Sequence, residues 1–181
     1  PLLDAFTPTS NQPLRIAFTL EGPFGDQPDP AIRTALEDTV RLCESLGHQV
    51  TMVKHPVAGE ELFSMYTRIF LSRTTGLIEM IEKASGLPIE ESGLLTRCTI
   101  DFVRRGNVLP PGVAETAEVD RLILEATMAK FFTNHDVWLT PVTPHMPTTS
   151  TDWLSSHPFD EQRTQRSMGS LPIANAIGGP A

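Results

Sequence analysis

The 181-residue chain is poor in cysteine, in positive charge and in long apolar runs, and each shortage excludes something. Its two cysteines, Cys43 and Cys98, form neither a Cys-x-x-Cys metal or redox motif nor a disulfide framework, so a reducing compartment, the cytoplasm, is expected. Fourteen Lys and Arg stand against 22 Asp and Glu, giving 14 − 22 = −8 with the five histidines neutral. Such a balance supplies no basic face to displace counterions from a phosphate backbone, and no nucleic-acid partner is expected. No apolar run approaches the roughly 20 residues that a spanning helix needs, so no membrane partner is expected either. With 40% hydrophobic and 20% charged residues, the composition is that of a packed domain and not of an acidic tail. Internal repeats and a dividing linker are also lacking, so residues 1–181 are read as a single segment.

Complete catalytic motifs are missing as well. The sequence contains no G-x-x-x-x-G-K-[ST], no H-E-x-x-H, no G-x-S-x-G elbow and no Ser-x-x-Lys. Gly22-Pro23-Phe24-Gly25 lies between a strand pattern and a helix pattern, where a phosphate loop would be. Pro30 removes one of the amides a phosphate would need, and a plain turn is the expectation. His48 and His55 are read as solvated turn residues, and His135 as a possible cap for a long helix. Ser155-Ser156 lacks the flanking glycines of a tight nucleophile turn. Cys43 and Cys98 are expected in the core, and the acidic pairs Glu60-Glu61 and Glu90-Glu91 at helix starts.

What is present is a strand and helix alternation. Residues 13–20 are a short apolar run bounded by turn residues, which predicts a buried strand. Asp29 is placed to cap a helix, with Pro30 at its first position. Ile32, Ala35, Leu36, Val40, Cys43 and Leu46 then recur at helical spacing as a stripe that should lie on a sheet, and Gly47 supplies the stop. Residues 49–53 read as a second strand, parallel to the first. Helical patterns follow from Gly59 to about Gly106, one of them carrying Leu94, Leu95, Cys98 and Phe102. A long helix is predicted over about 113–133, with Val119, Leu122, Ile123, Ala126, Ala129 and Thr133 on its apolar face. Residues 136–141 read as a strand, continued by a Pro-rich loop holding His145 and His157, and residues 160–168 as a last short helix. His145 and His157 would border a cleft if one lies at that strand's carboxyl end, although a surface role is the commoner one. The class is therefore α/β: a mixed sheet with flanking helices. Pro1 and the closing Gly-Gly-Pro-Ala, which reads as a turn about to enter a buried strand, point to a segment incomplete at both ends.

Several of these blocks, in order, resemble the carboxy-terminal half of the amidase signature family. The strand Leu14-Arg15-Ile16-Ala17-Phe18 leads through Asp29-Pro30 and Ala35-Leu36-Glu37-Asp38 to the corner Leu46-Gly47-His48-Gln49-Val50. Phe131-Phe132 precedes Asp136-Val137-Trp138-Leu139-Thr140-Pro141, with Pro144 and Pro147 beyond it. Asn175-Ala176-Ile177-Gly178-Gly179-Pro180-Ala181 is similar to the family's Asn-x-x-Gly-x-Pro-Ala segment. The stretch from Gly59 to Gly106 matches no family motif.

The resemblance implies hydrolysis of carboxamides by a Ser, cis-Ser, Lys triad, without a metal or other cofactor. It also implies that the triad lies in an amino-terminal half absent from these residues: Lys54, Lys83 and Lys130 are the only lysines, and none stands near a Gly-Ser-Ser-Gly run. The expected partners are a small amide substrate and that missing half of the fold, with a second copy of the chain as a further candidate. By the same resemblance, Thr140, Pro141, Thr143, His145, Met168 and Asn175 are candidates for lining the substrate pocket, with turn fixation the alternative for Pro141 and Asn175. A non-catalytic binding or scaffold subunit and a glutamine-dependent amidotransferase subunit are the competing readings, and an α/β domain binding phosphate at Gly22–Gly25 is a weaker one.

Overall fold

The computed structural model describes residues 12–74, 76–146 and 161–179. The apolar run after Pro13 forms strand β1 (Arg15–Phe18), which sits between β2 (Gln49–Met52) and β3 (Val137–Leu139). Both neighbours run parallel to it. Arg15 is opposite Gln49 and Phe18 opposite Met52 on one side; Ile16 is opposite Val137 and Phe18 opposite Leu139 on the other. Parallel strands need long crossovers, and helices supply them here. Helix α1 (Pro30–Ser45) makes the first; α2 (Gly59–Ser72), α3 (Leu77–Ser85), α4 (Arg97–Asn107) and α5 (Val113–Phe131) stand between β2 and β3. Two short helices, α6 (Glu161–Met168) and α7 (Leu171–Ile177), follow β3. The α/β class with flanking helices is observed, and all three described strands are parallel.

Local backbone chemistry sets the bounds of α1. Pro30 opens it, and Gly47, at φ +87°, turns the chain out of it into β2. Asp29 occupies the N-cap position but its side chain makes no capping bond, because its carboxylate is engaged elsewhere. The stripe expected to be buried is only partly so: Leu36 is covered, whereas Leu46 is 66% exposed. Three strands offer α1 a narrow floor, and β2 beneath its end lies at the edge of the described sheet.

The main core joins Leu62, Phe63 and Met65 of α2 to Leu124 and Met128 of α5 and Ile173 of α7. Each large side chain buried there contributes roughly 1.5–3 kcal/mol relative to exposure. Helix α5 presents the opposite face from the one expected: Ala117, Leu124 and Met128 are buried, while Val119, Leu122 and Ile123 are more than half exposed. The two stripes have similar apolarity, and only the position of α2 and α7 selects between them. Helix α4 begins after Thr96, whose hydroxyl accepts the Thr99 N–H at 3.2 Å, so Leu94 and Leu95 precede it. No helix starts at Glu90-Glu91; Pro88 accepts the Glu91 and Ser92 amides to close a turn, and Glu90 pairs with Arg104. Gly106 lets α4 approach the end of α2 so closely that a Cβ there would lie 2.5 Å from the Leu71 carbonyl oxygen. Helix α7 was not anticipated: residues 171–177 coil before Gly178, at φ +65°, ends the helix.

Candidate functional site

In open parallel sheets, ligand crevices lie at the carboxyl ends of the strands. Here the loops leaving β2 and β3 meet the turn between α6 and α7, and Asp26 on the loop after β1 accepts from Arg166 of α6 at 3.0 Å. Pairing runs to the very edge: Thr19 donates its amide to Leu139 O at 3.1 Å and Val53 donates to Phe18 O at 2.9 Å. Thr19 itself is buried, and its hydroxyl has no hydrogen-bond partner among the described residues; the same holds for the Trp138 indole N–H.

His55, just beyond β2, is the residue that sequence reasoning missed. It is not a solvated turn residue. Its Nδ1 lies 2.6 Å from Val57 O and 3.3 Å from Val57 N; the shorter contact, to an atom that can only accept, assigns the proton of the neutral ring to Nδ1. Nε2 is then free to accept the Ser170 hydroxyl at 3.1 Å. The ring packs edge-on against Trp138, with centroids 5.2 Å apart, and burial pushes its pKa below the ordinary value. Hydroxyl and imidazole are ordered as nucleophile and base would be, yet Ser170 is only 9% exposed. Ser170 and His55 thus tie the end of β2 to the α6–α7 turn.

The Pro-rich loop reaches the same turn. Pro144 is buried, and a Cβ on Gly169 would lie 3.2 Å from its Cδ, at a backbone φ of +56°. Thr140 and Pro141 are half-buried at the end of β3; Thr143 is exposed and donates its hydroxyl to His145 O at 3.1 Å. His145 lies 3.4 Å from the Asp29 carboxylate, to which Met146 donates its amide at 2.8 Å. Met168 immediately precedes Gly169. Five of the six expected residues therefore lie on two segments that meet at Pro144 and Gly169. Asn175 is exposed on α7, whose Ala176 and Ile177 face the core.

Met168 also lines a recess of about 220 Å³ between α2, α4 and α6, with Phe63, Tyr66, Phe70, Cys98 and Phe102 among its walls. The rings pack on one another, Tyr66 to Phe70 at 5.3 Å and Phe70 to Phe102 at 6.2 Å. Burial, and then Asp101, push the Cys98 thiol up, so it stays protonated there. A larger groove of about 470 Å³ lies between α2 and α5, next to the ion pair of Arg68 and Asp120 at 2.5 Å.

Other expectations resolve simply. The Gly22–Gly25 segment is a plain turn: Gly22 donates to Asp26 O and Gly25 to Gly22 O, each at 2.9 Å, so these amides are spent internally. Phe24 from that turn stacks on Phe63 at 5.3 Å. His135 packs on Phe131 at 4.7 Å, and His48 accepts the Leu14 amide at 3.2 Å. Both cysteines are partly exposed and not fully in the core. His157, Pro147 and Ser155-Ser156 lie outside the described residues. Among the described residues, no group of three or more His, Cys, Asp or Glu is placed to hold a metal, and no helix is long and apolar enough to cross a membrane.

The model of the Amidase family matches residues 1–181. Solved structures with the same fold include a bacterial aryl acylamidase of the amidase signature family, with TM-score 0.70 and 16% identity over 94% of this chain. They also include a 6-aminohexanoate cyclic dimer hydrolase, with substrate (TM-score 0.67, 16% identity over 93%) and in a further structure (0.65, 18%, 93%). The chain spans 36% of the acylamidase and 37% of the hydrolase. Among curated protein sequences, none matches it significantly.

Proposed function

The chain belongs to the amidase family, and from that premise we propose that it is the carboxy-terminal part of an enzyme that hydrolyses carboxamides. The observation that carries this reading is the family match along all 181 residues, in a chain that spans little more than a third of its structural neighbours. The residues described above then form one wall of the amide cleft. The strand-end loop Thr140–His145 and the Met168 turn border it, and the aromatic recess accepts the apolar part of the substrate. Asn175 lies at the margin of that wall.

The bond-breaking groups belong to the remainder of the fold. A serine hydroxyl attacks the amide carbonyl, and its proton passes through a second serine to a lysine. The amine leaves with a proton, and water then releases the acyl group as the acid. Backbone N–H groups facing the developing oxyanion lower the barrier. Lys54, Lys83 and Lys130 are not assigned to this machinery, because none stands near a Gly-Ser-Ser-Gly run.

A serine-directed fluorophosphonate, combined with assays on simple aryl and alkyl amides, tests the reading. The 181-residue chain alone should neither turn over amides nor take the label. The complete gene product should do both, with the adduct on a serine outside these residues. An adduct inside residues 1–181, or a complete product inert to every amide, would overturn it.

A further inference from the structure

Asp29 stands where a helix cap belongs and does not cap. Its backbone N–H donates to Pro144 O at 2.9 Å, its Oδ2 accepts the Met146 N–H at 2.8 Å, and its Oδ1 lies 3.4 Å from His145 Nδ1. The first turn of α1 gives up little by this. Pro30 has no N–H to satisfy, and Arg33 donates to Asp29 O at 2.9 Å through the backbone. A residue type that ordinarily stabilises a helix by capping is thus used to hold a segment more than a hundred residues away.

The segment held is the one that carries Thr140, Pro141, Thr143 and His145. Pro144, one of the residues that Asp29 holds, is buried and abuts Gly169. Ser170, the next residue, binds His55. One chain of contacts therefore runs from the start of α1 through the Pro-rich loop to the α6–α7 turn and the end of β2. A loop rich in proline has few backbone hydrogen bonds of its own to fix its height above the sheet. Met146 and Pro144 obtain theirs from Asp29.

We propose that Asp29 is a positioning residue that sets the Pro-rich loop against the α6–α7 turn and thereby fixes the width of the amide cleft. The inference rests on the amidase reading for its functional half, and on the hydrogen bonds alone for its structural half. Capping and clamping make different demands on the side chain. Serine caps as well as aspartate but is one carbon too short to reach Met146, whereas asparagine keeps both the length and an acceptor.

The experiment compares wild type, Asp29→Asn, Asp29→Ser and Asp29→Ala by amide hydrogen exchange and, in the complete enzyme, by steady-state kinetics on simple amides. The clamp predicts that Met146 exchanges at least about tenfold faster in Asp29→Ser and Asp29→Ala than in wild type, with Asp29→Asn close to wild type. Amide exchange within α1 should be no faster than wild type in either variant, since Asp29 itself makes no capping bond and serine can add one. In the enzyme, KM should rise several-fold in the serine and alanine variants with kcat less affected, and asparagine should restore it. If Asp29→Ser protects Met146 as wild type does, or Asp29→Asn exposes it as alanine does, the clamp is wrong. Normal kinetics in a variant with a freed Met146 would overturn the positioning role. Absence of all amide turnover in wild type would instead overturn the amidase reading and leave the exchange result standing.

Discussion

Arg15 and Asp136 form a fork across the amino-terminal edge of the sheet: Nη2 donates to Oδ1 at 2.6 Å and Nε to Oδ2 at 3.1 Å, while the Arg15 amide also reaches Oδ2 at 2.8 Å. Asp136 in turn donates its amide to Arg15 O at 2.8 Å. Together the two residues set the β1–β3 register from side chain and backbone at once. The side-chain bond from Arg15, followed by its backbone N–H, lowers the Asp136 pKa from 3.8 to about 2. A carboxylate lowered on folding adds stability above its unfolded pKa, and that stability is lost as pH falls through the interval from 3.8 to about 2. Asp136→Asn should therefore lower the Tm at pH 7, and the gap from wild type should close as pH approaches 2. Thermal unfolding followed by circular dichroism across that range checks it.

A second pH dependence lies higher. Burial lowers the His55 pKa below 6.5, so the unfolded chain takes up its proton before the folded one does. Stability present above pH 6.5 should decline as pH falls from there toward the lowered folded value. Urea titrations at pH 7.5 and 5.5 should show this loss in wild type and a smaller one in His55→Gln. An equal slope in both proteins would contradict the buried neutral ring.

Gly106 and Gly86 separate two effects of adding a methyl group. Gly86 adopts φ +70° with open space around it, so Gly86→Ala should cost about 1 kcal/mol from backbone strain alone. At Gly106 the new Cβ would lie 2.5 Å from both Leu71 O and Thr74 Oγ1. Helix α4 must then move off α2, and Gly106→Ala should cost about 2–3 kcal/mol despite the better helix propensity of alanine. Chemical denaturation of both variants decides which is larger.

The reversed face of α5 gives the plainest test of packing. Leu124→Ala removes a side chain that is 5% exposed and should cost about 2–5 kcal/mol. Leu122→Glu, two residues earlier at a site 51% exposed, should stay within about 0.5 kcal/mol of wild type in the 181-residue chain. Equivalent losses in both would restore the face that the sequence pattern favours.

These contrasts show what could be read from the residues beforehand. Both ends of α1 were legible because Pro30 and Gly47 restrict the backbone wherever they occur. The strands at 15–18, 49–52 and 137–139 were legible because turn residues bracket short apolar runs. The buried face of α5 was not, since Val119, Leu122 and Ala126 keep helical spacing just as Ala117, Leu124 and Met128 do. That choice belongs to α2 and α7. Helix α7 was missed because Gly178-Gly179-Pro180 drew the reading toward a turn. Within the site, the proline pattern marked the loop after β3, whereas the six pocket candidates, Met168 and Asn175 among them, came from the family resemblance. His55 could not be found either way, because Ser170, which it binds, lies 115 residues further along the chain. No local signal marks such a pair, although a histidine directly after a strand in a parallel sheet is a reason to look.

The strand order β2–β1–β3 bears on how the chain acquires its structure during synthesis. β1 and β2 are separated by one helix and can pair early, across a loop of modest closure entropy. β3 must wait until residues 137–139 have been made, and it then docks beside the first strand across β2 and five intervening helices. Until it does, one edge of β1 is open, and the Arg15 guanidinium has yet to meet Asp136. Long-range parallel pairing of this kind is slow and leaves the partly folded chain prone to association. The Arg15–Asp136 fork thus closes the largest loop within the sheet, and its formation marks the point at which the nascent chain no longer offers that edge to a neighbour.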